Sequence, residues 1–208
     1  MTKNLNAREI AISGLLSALV AAVTLILRIH VPATSGYFNL GEAAIYTAAL
    51  LFGPRIGGIA GGLGSALADI IGGYTVYAPA TLLIKGAEGY LVGLLREKQA
   101  FKPAVLASIL AVACLVGSLF VERNIIGIAT WTIVGVLAGL AAAKMAPKDL
   151  PAMLAGGTVM VLGYFLYEYA LYGAGAFSEI PWNIGQVAVG ILVASLVKDT
   201  LKRRLQWV

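Results

Sequence analysis

Asp69, Lys85, Glu88 and Glu168 stand within or at the edge of long apolar runs. A charge placed in hydrocarbon costs about 3 kcal/mol on insertion scales, so such groups face a bundle interior, a partner charge or a water-filled cavity. Asn39, Glu42, Tyr74, Tyr77, Tyr164, Trp182, Asn183 and Gln186 belong with them. These twelve residues come from four separate stretches of sequence and, on the topology below, gather in the outer half of a bilayer or the loops above it. Carboxylates, a lysine and amides supply hydrogen bonds, while tyrosines and Trp182 offer flat faces for stacking. The chemistry they predict is capture of a small solute. A mixed-charge, aromatic pocket suits a neutral or zwitterionic ring compound.

Structural readings compete at several positions. Asn39-Leu40-Gly41-Glu42 fits an N-capping box, in which Glu42 would only reach back to the helix start. Lys85 and Glu88 are three apart on a helix and can neutralise each other. Aromatic residues collect at membrane interfaces whether or not they touch a ligand. Asp69 and Glu168 resist such readings, because each lies near the C-terminal end of its helix, where the dipole disfavours negative charge.

The elements that carry these residues follow from composition. Of 208 residues, 60% are hydrophobic and 12% charged, with a mean hydropathy of +0.89, far from the mix of a soluble domain. One membrane domain, 1–208, accounts for the chain. Charge-free runs at Ile10–Leu27, Pro103–Val121, Asn124–Ala143, Leu150–Tyr167 and Ile180–Val197 are each long enough for a crossing. Ala43–Pro54, Ile56–Ala68 and Val76–Leu95 are shorter, glycine-rich or interrupted by charge, and are read as three more. The predicted fold is all-α, with eight spans. An even count places both termini on one side, and twelve of the fifteen lysines and arginines fall there, so both termini are predicted to be cytoplasmic. The net charge of +5 is thus mostly topological; the basic residues do not form the clustered face that nucleic acid requires.

Small residues let membrane helices approach closely. One track runs through Gly14, Ala18 and Ala22, with Ser13, Ser17 and Ala21 beside it; another runs through Gly57, Gly61 and Ser65, beside Gly58 and Gly62. Internal packing is the ordinary reading of either, and the first could equally serve a partner subunit. Cys114 is the single cysteine, and His30 has no metal-ligand companion at motif spacing, so no metal or cofactor is expected. No phosphate-binding loop and no catalytic triad or nucleophile motif occurs, which leaves an enzyme unsupported and requires any transport energy to come from an ion gradient or a partner.

The segment Gly36-Tyr37-Phe38-Asn39-Leu40-Gly41-Glu42, then Phe52-Gly53-Pro54, Gly62 to Asp69, Gly73-Tyr74, Tyr77-Ala78-Pro79 and Lys85-Gly86-Ala87-Glu88-Gly89, resembles the substrate-binding S components of energy-coupling factor (ECF) vitamin transporters. The likeness resumes at Gly163-Tyr164-Phe165 through Glu168 and at Ile180-Pro181-Trp182-Asn183 with Gln186. It implies a six-helix protein of the cell membrane that binds one vitamin or precursor in its outer half and associates with a transmembrane subunit and two ATPases. It further implies docking through Gly14, Ala18 and Ala22 and closure of the site by the loop from Val31 to Gly41. The stretch 100–146 departs from the six-helix pattern and reads as an inserted hairpin of two spans. An autonomous carrier, with Asp69, Glu88 or Glu168 linked to an ion, is the competing expectation.

Overall fold

The structure, a computed structural model, describes residues 5–32, 34–96 and 148–204. Six α-helices follow one another among them: α1 (Ala7–Ile26), α2 (Gly41–Phe52), α3 (Pro54–Gly72), α4 (Ala78–Leu95), α5 (Leu150–Tyr172) and α6 (Ile180–Arg204). Between α1 and α2, strands β1 (Ile29–Val31) and β2 (Gly36–Phe38) pair antiparallel with Val31 opposite Gly36. A 3-10 turn, Gly173–Ser178, joins α5 to α6. The described residues up to 96 and from 152 onward belong to one compact unit. The hairpin expected at 100–146 lies outside the described residues.

The short helix α2 sits at the centre, against α1, α3, α4 and α6. It is apolar nearly all round, the pattern of a helix buried on every side. Its Ile45, Tyr46, Ala48 and Ala49 form the core with Val20 of α1, Val92 of α4, Met153 of α5 and Ala194 of α6. Polarity is inverted relative to a water-soluble fold. Glu42, Asp69, Lys85, Glu88 and Glu168 are buried, while Leu15, Ile26, Ile71, Leu83, Leu166 and Leu196 are 66% to 78% exposed. An apolar exterior over a charged interior is stable when lipid is the solvent.

Three described stretches are long and apolar enough to cross a membrane: Ala7–Ile26, Leu150–Ser178 and Ile180–Lys198. The other three expected crossings are present as helices, but α2 has only 12 residues, and α3 and α4 carry glycines and inward-facing ionisable groups that lower their hydropathy.

The α3 glycine track packs internally. A Cβ on Gly57 would stand 2.6 Å from that of Ala49, one on Gly61 would meet the Lys85 carbonyl at 2.6 Å, and one on Gly62 the Leu82 carbonyl at 2.7 Å. Backbone therefore lies on backbone along the α3–α4 seam, as small residues permit. The first track divides. Ser13, Ser17 and Ala21 face inward, whereas Gly14, Ala18 and Ala22 lie on the exposed side of α1.

Caps fix where these helices begin and end. Asn6 and Glu9 form a reciprocal capping box on α1, each side chain accepting from the other residue's backbone N–H at 2.9 Å. Gly73 ends α3 in the left-handed conformation, φ 87°, and lets the Tyr74 N–H donate to the Asp69 carbonyl at 2.7 Å, a turn that favours glycine. Asp69 is thereby held in the last turn of α3, at the mouth of the bundle. The capping box expected at Asn39 to Glu42 does not form. Asn39 Oδ1 accepts from the Gly41 N–H at 2.8 Å, α2 has no side-chain N-cap bond, and the Glu42 side chain turns to Lys85 instead.

Candidate solute-binding site

A cavity with about 430 Å³ of atom-free space, partly open to solvent, lies among the ends of these helices. Eight of the twelve sequence candidates line it: Asn39, Asp69, Tyr77 and Lys85 from the first part of the chain, and Tyr164, Glu168, Asn183 and Gln186 from α5 and α6. Six further lining residues, Thr24, Gly36, Tyr37, Ser65, Thr81 and Glu179, were not among the candidates. The other four candidates stand outside the lining. Glu42 and Glu88 lie behind Lys85, Tyr74 packs its ring on that of Tyr37 at 4.3 Å between centroids, and Trp182, 41% exposed, meets Phe38 edge-on at 6.1 Å.

The wall nearest the bundle core is a charge cluster. Lys85 Nζ bonds Glu42 of α2 and, at 3.0 Å, Glu88 of its own helix. Tyr46 Oη donates to Glu88 Oε1 at 2.9 Å. All four residues are at most 3% exposed, and the ammonium has a carboxylate on each side. Lys85 and Glu88 therefore do form the pair their spacing allowed, and Glu42, distant in sequence, completes it.

The outer wall is tied through the β1–β2 hairpin. Tyr37 Oη donates to Asp69 Oδ1 at 2.6 Å. The Asn39 N–H donates to Gln186 Oε1 at 2.6 Å, and Gln186 Nε2 donates to Asn183 Oδ1 at 3.1 Å. Thr34 Oγ1 donates to Glu179 Oε1, and Tyr77 Oη donates to the Thr34 carbonyl at 2.7 Å. Thr81 and Tyr164 hydroxyls bond at 2.9 Å. Burial first, then the Asp69 charge, pushes the Tyr37 hydroxyl well above the ordinary tyrosine range, so it remains a donor. Burial also raises Glu179, against the opposing pull of the Thr34 hydroxyl and His30.

Satisfaction is incomplete. Thr24 Oγ1, Asp69 Oδ2 and Glu168 Oε2, on residues that line the cavity, are buried without a hydrogen-bond partner among the described residues. Such groups are costly to bury unless something else meets them. The tyrosines of α5 divide between roles: Tyr164 lines the cavity, Tyr167 Oη donates to the Val76 carbonyl at 2.5 Å, and Tyr169 is exposed beside Phe165 and Phe177.

A polar, partly closed chamber lined by residues of several apolar helices has the form of a small-solute site. Residues 4–131 match the model of a family described as ECF-type riboflavin transporter, S component. The chain is also 31% identical over 202 residues to the thiamine precursor transporter HmpT of Lactococcus lactis subsp. cremoris (strain MG1363), covering 96% of this chain and 91% of that one. A protein of Pyrococcus woesei described as uncharacterized, in the gap 3' region, is 35% identical over 187 residues, 89% of this chain and 96% of its own. The chain belongs to the ECF transporter S component family, a family of transporter subunits.

Proposed function

We propose that this protein is the membrane-embedded binding subunit for uptake of a small vitamin or vitamin precursor, and that a separate module of one transmembrane subunit and two ATPases moves the captured solute. The observation that carries this reading is the cavity itself, in which three buried oxygens, on Thr24, Asp69 and Glu168, lack partners among the described residues. Support comes from the relative that is named a thiamine precursor transporter and from the absence of a phosphate-binding loop in the sequence, which leaves ATP hydrolysis to a partner. The eight crossings, the cytoplasmic termini and the multi-pass arrangement in the cell membrane belong to the same proposal. The exposed track of Gly14, Ala18 and Ala22 is the proposed docking face. A Cβ added at Gly14 would meet nothing within 4 Å among the described residues, so their packing does not consume that position.

Purified protein titrated with a panel of water-soluble vitamins and their precursors tests the reading, with tight binding of one member expected. Proteoliposomes containing this chain alone should bind the solute without accumulating it. Uptake driven by a proton or sodium gradient there would overturn the subunit reading in favour of the autonomous carrier.

A further inference from the structure

On the binding-subunit reading above, we infer that Gln186 is a positioning residue: it meets the backbone N–H of Asn39 and so turns the Asn183 amide to offer the solute its Nδ2, a donor. Three groups are fixed in order. The Asn39 N–H donates to Gln186 Oε1 at 2.6 Å. A backbone N–H cannot accept, so the reverse setting of the Gln186 amide would bring two donors face to face. Gln186 Nε2 therefore points the other way, to Asn183 at 3.1 Å. A donor there needs an acceptor, which commits Asn183 Oδ1 and leaves Nδ2 for the chamber that Asn183 lines.

The relay starts from a well-held atom. Asn39 Oδ1 accepts from the Gly41 N–H at 2.8 Å, a side-chain turn that sets the local backbone. Phe38, just before it, packs on Trp182 of α6. Asn39, Asn183 and Gln186 are only 8%, 5% and 3% exposed, so the amides rely on one another rather than on bulk water. Asn39 directly follows β2, whereas Asn183 and Gln186 lie on α6. The hairpin thus sets the hydrogen-bonding polarity of the α6 wall. With the hairpin lifted away, Gln186 loses the donor that orients it, and Asn183 can turn either edge to a solute. With the hairpin seated, a solute acceptor beside Asn183 is met. A solute donor there faces Nδ2, or else reverses both amides and sets Gln186 Nε2 against the Asn39 N–H. Seating of the hairpin and discrimination at Asn183 are one event.

Purified full-length protein is titrated by calorimetry with riboflavin, thiamine and an aminopyrimidine alcohol, and the tightest binder serves as the probe. Two variants separate the relay from mere packing. In Gln186→Glu, an ionised carboxylate still accepts from the Asn39 N–H but asks Asn183 for a donor, which reverses that amide. In Asn183→Asp, the bond from Gln186 survives, but an oxygen replaces Nδ2. Protonation gives each acid an O–H where the wild type has an N–H. At about pH 9 both variants should bind the probe about ten- to hundredfold more weakly than wild type, and most of that loss should be regained by about pH 4.5. Affinities are taken as ratios to wild type at each pH, which divides out titration of Asp69, Lys85, Glu168, Glu179 and the lining tyrosines. Hydrogen-exchange protection of Gly36–Phe38 should hold in Asn183→Asp and fall in Gln186→Leu, which cannot accept from Asn39. Full affinity of both acids at high pH, losses that low pH does not restore, or unchanged protection in Gln186→Leu would overturn the relay and leave the vitamin-binding reading standing. Failure of the wild type to bind any of the three probes would overturn both.

Discussion

Two groups of buried carboxylates lie within one bundle and are treated in opposite ways. Around Lys85, the ammonium is held by Glu42 and Glu88, and Tyr46 donates to Glu88. Around the chamber, Asp69 and Glu168 each retain an unmet oxygen. In the first arrangement Glu42 Oε2 also lacks a partner among the described residues, but both carboxylates share the Lys85 cation, which joins α2 to α4. The second is left open where a solute can enter. Burial alone therefore does not mark a functional acid in a membrane protein; what separates the two groups is the cation held between Glu42 and Glu88.

The largest expected effect comes from breaking the ion-paired cluster. Lys85→Met leaves two carboxylates buried without their cation and should lower stability by about 3 to 5 kcal/mol, read as the unfolding midpoint in detergent. Adding Glu42→Gln and Glu88→Gln to that variant should restore most of the loss. Tyr46→Phe and Tyr37→Phe should each cost about 1 to 3 kcal/mol, through the lost bonds to Glu88 and Asp69, but only Tyr37→Phe, beside the chamber, should also weaken solute binding. If Tyr46→Phe weakened binding as much as Tyr37→Phe, the contrast between the two groups would collapse.

Glu179 sharpens the comparison through pH. Burial against the β1–β2 hairpin raises its pKa above the ordinary carboxylate value, so packing of the hairpin on Glu179 favours the protonated form. That contribution is full below the ordinary carboxylate pKa and is lost as pH rises through the raised one. Hydrogen-exchange protection of Gly36–Phe38, corrected for intrinsic rates, should therefore decline over that window, and Glu179→Gln should flatten the profile. The smallest effect belongs to Trp182, which packs on Phe38 outside the chamber; Trp182→Ala should alter solute affinity by less than about fivefold, as for a contact at the rim.

Much of the site was legible because charge inside an apolar run is rare and costly. That rule found Asp69, Lys85 and Glu168 without any knowledge of the fold. It could not find Glu179, Tyr37 or Thr81. Glu179 and Tyr37 sit in connecting segments, where polar residues are ordinary, and the Thr81 hydroxyl is common in membrane helices. Glu42 shows the reverse problem. Its spacing from Asn39 fits a cap, and only the tertiary fold, bringing α4 alongside α2, shows where the side chain goes. Helix existence was readable from the apolar runs, but the centrality of α2 was not, because a short apolar stretch reads alike whether it faces lipid or protein. The β1–β2 hairpin had no distinctive pattern, each strand being three residues long.

The cluster around Lys85 also bears on how the chain enters the membrane during synthesis. At 1.5 Å per residue, α2 is about 18 Å long, less than the hydrocarbon thickness of about 30 Å, and it carries Glu42. The helix α4 carries Lys85 and Glu88. Neither partitions readily by itself, because each would bring a charge into lipid unescorted. Once the ammonium has met both carboxylates, that penalty falls. The expected order of insertion is therefore α2, α3 and α4 together, after α4 has been made. In ribosome-stalled chains ending just before Lys85, a single cysteine placed in α2 should remain accessible to a water-soluble thiol reagent, and in those ending beyond α4 it should be shielded.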